Sequence, residues 1–177
     1  MLTLKQRTAG FAIASLLVLC AFTGIVVEKE QLIANGRTVL LELAPVDPRS
    51  LMQGDYMRLR YKIASEIPVR RAYDAKAPKR GNAVLVPDAN NVARYVRLQD
   101  DDTSLKEGEF LLRFHAQYHS AEFVPDSFFF QEGMGRDFQP ARYGIFKVGD
   151  DGKSVLIGLA DQNRTAIEPK TQINTGF

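Results

Sequence analysis

Ser50 and Lys62 are a pair of residues that could carry nucleophilic chemistry. A lysine that sheds its proton near a serine can take the hydroxyl proton and free the oxygen for attack. Lys62, however, alternates with Arg58 and Arg60 against Met57, Leu59, Tyr61 and Ile63. On a strand that alternation sets it on a solvated basic face, where the ammonium keeps its proton. His115 and His119 have the spacing that lets two imidazoles share a metal ion on a helix. The run from Phe110 to Tyr118 instead alternates as a strand, which separates the two by roughly 13 Å at about 3.3 Å per residue. One ion cannot bridge that gap. Glu132-Gly133-Met134-Gly135-Arg136 is a glycine-rich turn without the lysine pattern of a phosphate loop. Asp100-Asp101-Asp102 lacks the spacing and glycine of a calcium loop. No metal or cofactor is expected. Recognition is left as the better chemistry: Asp55, Tyr56, Arg58 and Arg60 form the candidate contact surface, with Arg49 and Glu132 as candidate neighbours. The same basic face could instead hold an anionic ligand.

The elements that must position these side chains begin with an apolar run. Thr8 to Val27 carries no charge, and about twenty residues wound as a helix rise roughly 30 Å, the thickness of a bilayer's hydrocarbon core. Lys5 and Arg7 precede it, and Glu28, Lys29 and Glu30 come after it. That asymmetry orients residues 1–7 to the cytoplasm and the remainder outside it. A cleaved signal peptide would have a shorter apolar region and a small-x-small exit, which Ala21-Phe22-Thr23 matches poorly. A lipoprotein signal would need a small residue before Cys20, where Leu19 stands. The expectation is a single uncleaved span over 8–27, a linker over 28–36, a β domain over 37–164 and a loose tail over 165–177.

The charge balance narrows the partners. Of 23 basic and 21 acidic residues, Lys5 and Arg7 lie before the span, so the chain beyond it is formally neutral. A nucleic-acid binder would show a net basic footprint. Cys20 is the single cysteine and lies inside the span, so the domain has no disulfide and depends on its apolar core.

Beyond Gly36 the periodicity is two-fold. Thr38–Leu43, Ala83–Val86, Val92–Leu98, Phe110–Tyr118, Ser127–Phe130, Tyr143–Val148 and Ser154–Leu159 all read as strands. The last two flank Gly149-Asp150-Asp151-Gly152-Lys153, a strong hairpin signal. Many short strands joined by turns predict an all-β, antiparallel sandwich or small barrel. Asp47 as a cap, Pro48 at a first helical position and Gly54 at the exit predict one helical turn over Pro48–Gln53.

The octet Gly54-Asp55-Tyr56-Met57-Arg58-Leu59-Arg60-Tyr61 resembles the signature of the GDYXXLXY family, mostly bacterial and membrane-anchored proteins. Gly54, Asp55, Tyr56, Leu59 and Tyr61 match its defined positions. Asp47-Pro48-Arg49-Ser50, Phe130–Gly135 and Ala141-Arg142-Tyr143-Gly144 are similar to further stretches of the family. The family has no settled activity, so the resemblance implies membership without a reaction. Its members are often associated with multi-spanning membrane proteins, which implies such a partner. The order Ser50, Gly54-Asp55, Lys62 also resembles signal peptidase I, although Ser50-Leu51-Met52-Gln53 stands where that family has Ser-Met-x-Pro. The resulting expectation is a non-catalytic partner or assembly module in the cytoplasmic membrane, with a Ser/Lys hydrolase or an anion-binding module as alternatives.

Overall fold

Helix α1 runs from Leu4 to Asn35. The computed structural model describes residues 4–44, 52–53, 56–68, 80–100, 103–117, 120–123 and 125–169, without the side chains of 4–9, 12, 52, 53, 117 and 120. Residues 28–35, expected as a linker, continue the helix. From Phe11 to Val27 its described apolar side chains are exposed on all sides. Among the described residues no helix is long and apolar enough to cross a membrane. The uncharged run 8–27 includes residues 8, 9 and 12, whose side chains lie outside that description.

Beyond α1 the described residues fold mainly into antiparallel strands, as the two-fold periodicity predicts. Strand β1 (Arg37–Glu42) pairs with β9 (Tyr143–Val148), which pairs with β10 (Ser154–Ala160). The register runs from Arg37 opposite Val148 to Glu42 opposite Tyr143. A four-stranded sheet has the order β5 (Ala93–Leu98), β4 (Arg80–Pro87), β6 (Phe110–Gln117), β7 (Ser120–Glu122). A small third sheet joins β2 (Met52–Gln53), β3 (Tyr56–Arg58) and β8 (Ser127–Phe129).

Hydrogen bonds and isolated bridges join the sheets around one core. Leu40 bridges Val92 in parallel, and Asn91 Nδ2 donates to the Thr38 carbonyl at 2.8 Å. The Arg113 amide on β6 donates to the Gly152 carbonyl of the β9–β10 turn at 2.9 Å. Leu43 bridges Tyr61, tying the first sheet to the signature segment. Phe146, Leu41, Leu85, Leu112, Leu159 and Ile63 fill the centre. Val39 and Leu41 on one face of β1 are fully buried, and Leu40 on the other is covered as well, because the Val92 bridge lies over it.

Two local expectations change. Met52 and Gln53 form strand β2 opposite Met57 and Tyr56, so the predicted helical turn does not reach them. Cross-strand pairing outweighs the capping signals there, and residues 45–51 lie outside the described set. The signature ladder also ends early: after Arg58 the chain leaves the sheet and turns into a 3-10 helix over Lys62–Ser65. Burial still alternates, with Met57, Leu59, Tyr61 and Ile63 inside and Arg58, Arg60 and Lys62 outside. At the other end, Ile167 donates its amide to the Leu159 carbonyl at 2.8 Å and packs against the core, so the expected loose tail is fastened at least that far.

Candidate docking groove

Strand β3 is held on both sides. Tyr56, Met57 and Arg58 lie opposite Phe129, Phe128 and Ser127 of β8, and the Leu59 amide continues the contact to the Asp126 carbonyl at 2.6 Å. Beyond Leu59 the two segments part. Arg60 turns its carbonyl to the Ala44 amide at 2.7 Å, and Tyr61 crosses to Leu43.

Tyr61 is the pin of this junction. Its hydroxyl donates to the Pro125 carbonyl at 2.8 Å. Its ring meets Phe123 and Phe146 edge-on, with centroids 6.1 and 5.4 Å away. Edge-to-face contacts of this kind stabilise beyond the area they bury. Burial, with a smaller push from the negative charge of Asp126, raises the phenol pKa well above its ordinary value.

Where the segments part, they leave a groove of about 440 Å³. Arg58, Arg60 and Lys62 enter it from the signature side, and Glu122 at the end of β7 and Asp126 just before β8 from the other. Buried Leu59, Tyr61 and Phe123 complete the lining with apolar surface. The charges are not equally available. Lys62 Nζ is 3.1 Å from Glu42, whose other oxygen lies 3.2 Å from Arg94, and Arg94 in turn reaches Asp88 at 3.0 Å. Arg58 and Arg60 are exposed and form no ion pair among the described residues.

The expected site residues are thus divided. Arg58 and Arg60 come together in the groove. Tyr56 is half-buried beside it, its ring 5.8 Å from that of Phe129, which is 74% exposed. Glu132 is exposed at the turn before a 3-10 helix over Met134–Phe138 and is not part of the groove lining. Arg49, Ser50 and Asp55 lie outside the described residues, as does His119. Among the described residues no group of three His, Cys, Asp or Glu side chains could hold a metal ion.

Sequence reasoning missed Glu122 and Asp126. The nearest signal was local: Glu122 is exposed between buried Ala121 and Phe123. Its proximity to the signature depends on pairing that no local pattern encodes.

The octet, its ladder to β8 and the Tyr61 pin agree with a broader likeness. The model of the GDYXXLXY protein family matches residues 18–159. The chain belongs to the GDYXXLXY family. No curated protein and no solved structure matches it significantly. The GDYXXLXY match starts inside α1 and stops in β10, so it covers the second half of the helix, the groove and the sheets together. Of the five defined signature positions, Leu59 and Tyr61 are buried in the core, Tyr56 lies at the surface of β3, and Gly54 and Asp55 lie outside the described residues.

Proposed function

We propose that this GDYXXLXY protein is a membrane-anchored, extracytoplasmic module that docks without catalysis on a multi-spanning membrane protein. The observation that carries the reading is α1. Its apolar residues, among them Phe11, Leu17, Val18 and Phe22, are exposed on every side, and none of the described residues of the β domain covers them. A helix apolar all round requires hydrocarbon or other apolar helices as its surroundings. Thr23 is accommodated there because its hydroxyl donates back to the Leu19 carbonyl at 2.8 Å. The span is argued from the whole uncharged run 8–27, and Lys5 and Arg7 before it orient the β domain outward.

The groove is the docking surface. Glu122 and Asp126 beside Arg58 and Arg60 favour a polypeptide, which carries both signs of charge, over a small free anion, which the carboxylates would repel. Lys62 disfavours the hydrolase reading, because its ammonium is exposed and bonded to Glu42.

The test is co-purification of the tagged full chain from membranes in mild detergent, with a photo-crosslinker at position 60. The expected result is one crosslinked multi-spanning protein, lost at least tenfold in Arg58→Glu/Arg60→Glu at unchanged thermal stability. Equal recovery by that variant, or extraction of the chain from membranes by alkaline carbonate, would sink the proposal.

A further inference from the structure

Between α1 and β1 stands a single residue, Gly36. Its amide donates back to the Leu32 carbonyl at 2.9 Å, so helical bonding runs into the joint. A Cβ at Gly36 would press into that oxygen, far inside contact distance, a clash only glycine avoids. The Gly36 carbonyl accepts from Lys147 Nζ on β9 at 3.2 Å.

The helix is held twice more on the same side. Leu32, one turn earlier, packs its Cδ1 within 3.1 Å of where a Cβ at Gly149 would lie. Glu28, a turn before that, forms an ion pair with Lys153, which also holds Asp151 at 3.2 Å. Residues 28, 32 and 36 are spaced by four and form one stripe. Their receiver is itself fixed: Gly149 donates to the Lys153 carbonyl at 2.9 Å, and Arg113 of β6 bonds Gly152. The helix is therefore fastened to the sheets at three successive turns.

We infer that α1 and the β domain form one rigid lever, so that tilt or rotation of the helix turns the groove through the same angle. The last two helical turns, residues 28–35, hold the domain about 12 Å beyond the apolar run at 1.5 Å per residue. A domain on a slack tether would sample many orientations and could not relay such a motion. The inference does not depend on what surrounds the helix, and it stands or falls apart from the docking reading.

Pulsed electron–electron distance measurement in detergent micelles tests it. The full chain carries Cys20→Ser and spin labels at Val18→Cys and Ile157→Cys, both exposed positions. The expected result is one narrow distance, at least twofold broader in Gly36→Val and in Lys153→Glu. Adding Glu28→Lys to Lys153→Glu should narrow it again. Lys153 is exposed enough that its variants keep the β domain folded, which near-ultraviolet circular dichroism checks independently of Gly36→Val. A parent distribution as broad as the variants', or Lys153→Glu and Gly36→Val distributions as narrow as the parent's, overturns the rigid joint.

Discussion

Replacing Tyr61 by phenylalanine removes one oxygen and leaves the ring against Phe123 and Phe146. The lost bond is 2.8 Å long and ends on the half-buried Pro125 carbonyl, which can recover only part of its hydration. Loss of such a partner costs about 1–1.5 kcal/mol. For a folding unit of this size that lowers Tm by about 4–6 °C. Tyr61→Ala would instead remove the ring and cost about 3–5 kcal/mol. The chain has no tryptophan, so unfolding of the full chain is followed by near-ultraviolet circular dichroism of tyrosine and phenylalanine. The alkaline limb separates the hydroxyl from the ring. Burial raises the folded-state pKa of Tyr61, so its contribution is complete below the unfolded value near 10 and is lost as pH rises beyond it. The loss is at most about 1.4 kcal/mol per pH unit, and Tyr61→Phe should abolish that share. If Tyr61→Phe keeps the parent Tm and the parent alkaline slope, the hydroxyl does not pin the junction and the structural reading of this signature position fails.

Two further outcomes are expected. Gly144→Ala places a Cβ 3.0 Å from Phe146 Cε2 and 3.1 Å from Leu156 Cδ1; overpacking there should cost about 1–3 kcal/mol by urea midpoint, and an unchanged midpoint would show that the core yields. Asp88 has its pKa lowered first by the Val92 amide, with the Asn90 amide and Arg94 adding to it against the cost of burial. Its stabilisation is therefore present above the unfolded carboxylate pKa near 4 and is lost as pH falls through the lower folded value. Asp88→Asn should flatten the dependence of the urea midpoint between pH 5 and pH 2.5, and a slope equal to the parent's would contradict the assignment.

Much of the β framework was legible because its pairing is local. Ala83–Val86 and Val92–Leu98 straddle a turn closed by Asp88, and β9 and β10 straddle Gly149–Lys153, so alternation and turn chemistry sufficed. The signature was half legible. Two-fold burial holds from Met57 to Ile63, yet alternation could not show that the ladder stops at Arg58, because a short 3-10 turn keeps every second residue inside over so few positions. Strand β7, Ser-Ala-Glu, has no β-branched or aromatic residue to mark it and was not predicted, whereas the equally short β8 is marked by its phenylalanines. The groove was legible only on its signature side. Its carboxylates come from Glu122 and Asp126, and nothing near either residue in the sequence points toward Arg58 or Arg60.

The long reach of the Tyr61 bond also sets an order of assembly. Pro125 lies 64 residues after Tyr61, and Lys147 lies 111 residues after the Gly36 carbonyl it caps. Strand β1 has β9 as its ladder partner, so it waits until almost the whole domain has been made. Closing such distant contacts is slow, because chain entropy is lost before the contacts repay it. During synthesis the first strand therefore emerges beside its helix with an unsatisfied edge, open to proteases and to pairing with a neighbouring chain until the final hairpin arrives.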